Sequence, residues 1–597
     1  MIIRILSITS VLLFAAAQLT QAAGPRVDIV IGEKAPALEK RAAEDVAADL
    51  KNVYDAEVKI ATAAPEDAEN VIFVGSPETN EQTKKQIEEN WPKLSEQGHV
   101  LRTIKYRNKP ALFIGGGSPI AAYWGAAEYA HTLGIRTMLY GDLHPVLPPT
   151  FSLDNYEVIQ EPIVKERGTS HVLDQNPTGR SSWGLEDQKR LLRQLARLKR
   201  NRLSIAVRST GPFVHFEFEG VRKKTAVLFY GREFSVSGDT AGRAAFKGAK
   251  LFENPDIVSK GTYEERLKAG QNLIRGLIEE AHSLGMGVDL EFNPLEFPKE
   301  FEGVFPDSRP VAEPIELAVE PDPNKNVPNE KLIKLAITQL KAYQNTFSKA
   351  DSIALSTFQF PEIVTRLKND EIPLDRRSFR NEIPFVALTP ISLVIDANLN
   401  AYQSSRWSFD LTVTREAACR ALVEPICGAE VDGVVLKANR QMDEAVRLIS
   451  DNDLHLTLPG PNMILKHYAN TDPPPEWWSK VRDNYLGAMN DMYRANSRAR
   501  EGGRSYTLYL ARRCEFGYEY MNCVEATRLA GVAKGKKDSA EQRAQLEKAI
   551  ESMNSACSAL AAVARDQSDR GMIAVCNEFG YKALQKELEK LDAEEGI

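Results

Sequence analysis

Between Glu161 and Ser209 the chain reads EPIVKERGTSHVLD (161–174), a Gly/Ser/Trp-containing loop, and then LEDQKRLLRQLARLKRNRLSIAVRS (185–209). The apolar start of this stretch predicts a short strand ending at Arg167-Gly168. Leu residues at helical spacing predict an amphipathic helix after the loop. Asn201 then leads into a second strand, RLSIAVRS (202–209). That is one β-loop-α-β step, and its repetition builds a parallel (β/α)8 barrel. Catalytic groups of such barrels sit at the C-terminal ends of the strands. On this reading Arg167 points into a pocket.

The alternation continues downstream. An irregular insertion covers 211–260, and a long helix 262–284. MGVDLEFNPLEF (286–297) supplies a third strand and its loop, and a Pro- and Glu-rich loop follows over 294–330. A helix over 330–348 precedes a fourth strand, DSIALSTFQFPE (351–362), and PFVALTPISLVIDAN (384–398) holds a fifth. After a helix at 415–427 come strand VDGVVLK (431–437), a short helix over 443–450, and LHLTLPG (454–460). The count is about seven strands, one short of a closed barrel of eight. From 476 onward the pattern is long, charged and amphipathic, which predicts a helical domain packed on the barrel and suited to a homodimer contact.

Upstream, 24–155 reads as a separate α/β domain. VDIVIGE is a strand, Pro36 opens a helix running to Tyr54, and EVKIATA and NVIFVGS are strands. HVLRTIKYRNKPALFIGGGS predicts a hairpin turning at Arg107-Asn108-Lys109-Pro110, and Pro119 opens a helix that Gly134 stops. Gly115-Gly116-Gly117 suits a tight strand-to-helix turn. It lacks the Lys and the spacing of a phosphate loop. Pro145, Pro148 and Pro149 mark a linker to the barrel region, 160–475.

Length and composition bound the function. A chain of 597 residues exceeds a single core. It is 43% hydrophobic and 26% charged, as soluble globular proteins are. A formal charge of −7 with no basic run argues against nucleic acid as a partner. Residues 1–23 combine Arg4, an apolar run from Ile5 to Ala17 and small residues at Thr20-Gln21-Ala22. That pattern predicts a cleavable signal peptide and a periplasmic or secreted protein, with no span left after cleavage. The six Cys all lie in the C-terminal third, without C-x-x-C spacing, and read as buried thiols with at most a bridge or two. The eight His show no H-E-x-x-H, so no metal site is expected, and no cofactor is implied.

The stretches IVIGEKAPALEKRAAEDVAADL, VIFVGSPE and GGGSPIAAYWGAAEYAHTLGIR together resemble the N-terminal domain of family 67 α-glucuronidases. Similar domains precede the barrel in family 20 β-hexosaminidases and in family 115 and family 84 glycosidases. KERGTSHVLD and LLRQLARLKRNRLSI resemble the first barrel strand, helix and second strand of the same group. The resemblance covers about 25–209 and the domain order. It implies a carbohydrate substrate, uronic-acid or hexosamine containing, and an Arg facing the sugar at the position of Arg167. The Asp-Glu pair of family 20 and the Trp-Asp-Asn motif of family 67 are absent here.

Hydrolysis of a glycosidic bond needs two carboxyl groups, one of them protonated. Glu362, ending the fourth strand, is the expected acid; a helix-start Glu after Pro361 is the alternative. Asp396, closing the fifth strand, is the expected base or nucleophile; a capping Asp in a turn is the alternative. Glu291, at the end of the third strand, is the next carboxylate. Expected substrate-binding residues are Arg167, His171 and Asp174 near the first strand, and Glu296 beyond the third. Asn398, Tyr402 and Trp407 follow the fifth strand, and Lys437 and Asn439 end VDGVVLK. Amides and rings suit sugar hydroxyls and CH faces. Two functions compete: an exported glycoside hydrolase acting on poly- or oligosaccharide, and a non-catalytic carbohydrate-binding or scaffold protein on a degenerate barrel.

Overall fold

The computed structural model describes residues 24–173, 177–311, 315–319, 330–355, 396–452, 456 and 459–595. The predicted fifth strand up to 395, most of LHLTLPG (454–460) and the signal segment lie outside these residues, as do Glu362 and Asp174; Asp396–Asn398, expected to close the fifth strand, instead start a helix. The chain divides into two compact units. The first runs to Arg136 and includes His144–Pro162; the second takes Thr137–Leu143 and everything from Ile163.

The first unit is a six-stranded mixed sheet. Its order is Glu57–Ala61, Arg26–Val30, Asn70–Val74, Lys109–Gly116, His99–Tyr106 and Glu157–Gln160. The first four strands run parallel and the last two antiparallel to their neighbours. Helices Ala37–Tyr54 and Pro119–Thr132 pack together. Phe73 and Phe113, stacked 4.8 Å apart on paired strands, anchor a core with Val30, Val71 and Ile87. The hairpin turns where expected, at Arg107-Asn108, both with positive φ, so Tyr106 pairs with Lys109. A Cβ on Gly116 would stand 2.5 Å from Ala121, so the glycine triplet permits a tight turn into the 119–132 helix.

The second unit opens with a four-stranded parallel sheet: Gly168–Leu173, Arg202–Val207, Gly287–Phe292 and Ser352–Leu355, adjacent in chain order. Helices Leu185–Arg197, Tyr263–Ser283 and Glu330–Thr346 make the crossovers. The 263–283 helix carries a capping box, with Thr262 and Glu265 each bonding the other's backbone N–H. No closed sheet forms among the described residues; this four-stranded parallel sheet is the part of the expected barrel they contain.

Two predicted elements change. The first strand begins at Gly168 instead of ending there, because the pairing segment is the alternating GTSHVL; Ile163 and Val164, which suggested the strand, are exposed. VDGVVLK is the start of a helix, Val431–Asn452. Its buried residues Val431, Val435, Ala438, Met442, Ala445 and Ile449 recur at helical spacing through and beyond the apolar run. Helices continue to Glu595; the longest, Glu501–Lys536, packs between Glu476–Arg498 and Ser539–Ala561. The six cysteines are free and buried. No helix among the described residues is long and apolar enough to cross a membrane.

Candidate active site

Strand register sorts the side chains of the four-stranded sheet onto two faces. His171, Ile205, Leu290 and Ile353 pair across one face, and Leu173, Val207, Phe292 and Leu355 across the same face one step on. The opposite face carries the carboxylates of the sheet. Ser170, Ser204, Asp289 and Ser352 form one row, and Val172, Ala206, Glu291 and Ala354 the next row toward the C-terminal edge. In the first row Asp289 is clamped by Arg202, whose Nε donates at 2.6 Å and whose Nη2 also donates, and by the Ser352 hydroxyl. These hydrogen bonds fix the carboxylate in place.

Glu291, one row nearer the edge, is half-buried and accepts from Ser204 Oγ at 3.4 Å. Burial raises its pKa, and the negative charge of Asp289 adds to the rise. A carboxyl so placed keeps its proton to a higher pH than an exposed glutamate, as a general acid must.

The sheet edge itself is organised by Arg208, which directly follows the second strand. Its Nη1 donates at 3.2 Å to Glu296 and at 3.2 Å to Glu316. A small antiparallel sheet delivers both carboxylates, with Glu296–Pro298 paired to Glu316–Ala318. Glu316 is 0% exposed and also accepts from Ser209 Oγ at 3.1 Å and Thr210 Oγ1 at 3.4 Å. Glu296 accepts from Asn293 Nδ2 at 3.0 Å; burial raises its pKa, with the charge of Glu316 adding and Arg208 opposing. Beneath them Lys223 is buried, donating to the carbonyls of Gly211 at 2.7 Å and Val214 at 2.9 Å. Burial pulls its pKa down to about 7 against the nearby Glu300 and Glu316. Sequence reasoning missed Arg208, Glu316 and Lys223. Arg208 was findable, since it ends the second strand by the rule applied to the first.

The expected site residues are scattered. Arg167 stands at the N-terminal end of the first strand, opposite the edge where barrel chemistry sits. It is 1% exposed and donates to the carbonyls of Lys199 at 2.6 Å and Val164 at 2.8 Å, over the ring of Phe409. It is a structural residue, and burial lowers its pKa to about 10. His171 lies on the apolar face, and burial, followed by the charge of Arg180, pushes its pKa down to about 3. It stays neutral and packed in the core. Asp396 takes the capping alternative: it is 0% exposed, its Oδ1 accepts from the N–H groups of Asn398 and Leu399, and its Oδ2 accepts from Tyr506.

Asn398 accepts from the Leu139 N–H at 2.9 Å, Tyr402 is buried, and the Trp407 indole donates to the Val413 carbonyl. Lys437 and Asn439 sit on the 431–452 helix, pairing with Asp491 at 2.9 Å and with the Val435 carbonyl at 3.0 Å. Of the expected set among the described residues, Glu291 and Glu296 are the carboxylates on and just beyond the third strand. No group of three His, Cys, Asp or Glu able to hold a metal occurs among the described residues.

Residues 14–129 match the sequence model of the glycosyl hydrolase family 67 N-terminus. No curated protein matches the chain in sequence. Among solved structures the chain is similar to a GH138 enzyme targeting pectin rhamnogalacturonan II, at 11% identity and a TM-score of 0.47, over 96% of this chain and 99% of that one. It is also similar to a family GH115 4-O-methyl-α-glucuronidase with specificity for decorated arabinogalactans, at 13% identity and a TM-score of 0.49, over 90% of this chain and 78% of that one. A third likeness is to the GH20 β-N-acetylhexosaminidase of Streptomyces coelicolor, at 10% identity and a TM-score of 0.34, over 59% of each chain.

Proposed function

We propose that this chain is an exported glycoside hydrolase acting on poly- or oligosaccharide. Its reaction centre is the polar face at the C-terminal edge of the four-stranded sheet. The observation that carries the reading is Glu291: a half-buried carboxyl with a raised pKa on that face, one row from the edge. The family 67 N-terminal match agrees with it. Glu291 is the protonated acid, and Glu362, from the sequence that follows the fourth strand, is the partner carboxylate. Arg208 positions the edge by holding Glu296 and Glu316. Hydrolysis with retention places the two carboxyls about 5–5.5 Å apart, and inversion about 6.5–9.5 Å.

The test is a panel of aryl glycosides and uronosides with Glu291→Gln and Glu362→Gln. Loss of the acid lowers kcat by about a hundred- to ten-thousand-fold. Full activity in both variants would remove the assignment. One observation favours a non-catalytic sugar-binding protein instead: Asp289, Glu296, Glu316 and Asp396 are all committed to ion pairs or caps. A parent protein inert on the whole panel decides for that reading. Export is checked by N-terminal sequencing of the mature protein, which starts after residue 23. Homodimerisation through the C-terminal helices is checked by sedimentation equilibrium.

A further inference from the structure

The insertion between the second central strand and the 263–283 helix folds around a pocket of about 260 Å³. Its apolar wall is Leu228, Phe229, Leu251, Phe252, Ile257 and Val258. Phe229 and Phe252 stack with ring centroids 6.0 Å apart, and Phe234 meets Phe229 edge-on at 6.1 Å. Phe234 and Phe252 pair across a two-stranded ribbon, Phe234–Ser235 with Leu251–Phe252, which fixes these rings. Val258 is 49% exposed and Glu233 is exposed, so the pocket opens to solvent. The Val227 N–H donates to the Thr210 carbonyl at 3.1 Å and ties the wall to the loop after the second strand.

Three observations say what the pocket takes. First, its polar lining is already engaged. Arg266 donates through Nε to the Ala226 carbonyl at 2.7 Å, and through Nη1 to the carbonyls of Ser259 at 3.0 Å and Gly261. Glu253 accepts from the N–H and Oγ of Ser259 at 2.8 and 2.6 Å. Asn254 donates to the carbonyls of Ser181 and Trp183 and accepts from the N–H groups of Asp256 and Ile257. Arg232 lies 5.5 Å over the ring of Phe579, and Glu233 accepts from Ser259 Oγ at 3.4 Å. The charged lining residues are Arg232 and Arg266 against Glu233 and Glu253, so no net charge selects an ion. Second, the size is that of one ring with a small substituent. An apolar cavity of about 150 Å³ already takes benzene. Third, the wall is strained: Phe229, Tyr230 and Gly231 hold φ at 56°, 55° and 73°, a region costly for the two bulky residues. Such strain persists only where the surrounding structure holds it, and it gathers at ligand sites. Here it delivers the Phe229 ring to the pocket wall.

We propose that this pocket binds an uncharged aromatic ring of phenol size, held by Phe229 and Phe252. Ring against ring adds to the burial that an aliphatic ring would also gain. The proposal draws on the insertion alone; neither Glu291 nor the hydrolase reading enters it.

Fluorine NMR of 4-fluorophenol on the full chain tests it, with phenol, cyclohexanol and methyl glucoside as competitors. The parent binds 4-fluorophenol saturably and phenol displaces it. Cyclohexanol competes about threefold more weakly or worse, and methyl glucoside does not compete. Leu251→Trp fills the pocket from a half-buried wall position and weakens 4-fluorophenol about tenfold or more. Phe252→Leu removes a ring face, keeps an apolar side chain and weakens it about threefold or more. No saturable binding to the parent, competition by cyclohexanol or methyl glucoside as strong as by phenol, or unchanged affinity in either variant overturns the proposal. Should a variant fail to melt cooperatively, the parent decides through the Ile257 δ1-methyl resonance, assigned by its absence in Ile257→Val. Excess phenol shifts that resonance by its ring current, and a resonance that stays in place overturns the pocket. Aryl-glycoside hydrolysis is assayed in parallel. Turnover without phenol binding removes the pocket and leaves the hydrolase; phenol binding without turnover does the reverse.

Discussion

At the scale of the residue, the consequence of Glu291 is a pH profile. Burial and Asp289 both disfavour its anion, so its pKa lies above the ordinary glutamate value. As a general acid it works only while protonated. Hydrolysis is therefore expected to decline as pH rises through this raised value, on a limb displaced upward from that of an exposed glutamate. Asp289→Asn removes the repulsion, and the alkaline limb should shift to lower pH. A kcat/KM profile checks both, and an unmoved limb would separate Glu291 from the chemistry. Asp396 carries the opposite expectation. Asp396→Ala removes a cap and leaves the Tyr506 hydroxyl buried without its acceptor, so it should cost roughly 2–4 kcal/mol in denaturant unfolding. Its kcat should stay within about twofold, since a cap stands apart from substrate.

Elements show the same contest between pattern and environment. Glu39, in the first turn of the 37–54 helix, is 1% exposed and accepts from Thr79 Oγ1 at 2.8 Å. Burial raises its pKa to about 7, against the lowering effect of the Thr79 bond. A carboxyl with a raised folded pKa contributes stability that is full below its unfolded value and is lost as pH rises through the folded value. The first unit should thus lose on the order of 3 kcal/mol between about pH 4.5 and pH 7 from this group. Glu39→Gln should flatten that slope and stabilise the unit at pH 8, which chemical unfolding at a series of pH values would measure. The 431–452 helix teaches a related lesson. Seven residues rich in valine read as a strand, and only the period carried through Ile449 identifies the helix.

Across the whole molecule, six buried thiols make a direct prediction. Burial is the leading cause that pushes Cys419, Cys427, Cys514 and Cys523 up to about 12, so they should be inert to a thiol reagent in the native state. All six should react in denaturant. A lower count after unfolding would reveal a disulfide. At this scale much of the fold was legible. The N-terminal α/β domain, the hairpin at Arg107-Asn108, the second and third central strands and the C-terminal helices all follow from period, turn residues and breakers. Of the expected site residues, Glu291 and Glu296 lie on and just beyond the third strand, where their segment was expected to put them. Arg167 and His171 lie away from the expected edge because the start and the face of the first strand depend on its pairing with Arg202–Val207, which its own residues do not encode.

By itself, then, the sequence determined the local units: which segments are strands or helices wherever a period is long, where glycine and proline turn the chain, and the kinship of the first domain. These are short-range properties of the backbone and its hydrophobic pattern. Tertiary structure alone decided the chemistry of the sheet edge. It joined Arg208 to Glu296 and Glu316 across separations of 88 and 108 residues, and it buried Asp396 as a cap. It also left Glu291 half-buried beside Ser204. Charge state and accessibility depend on what lies opposite in space, and that is set by strand register and by the packing of distant elements.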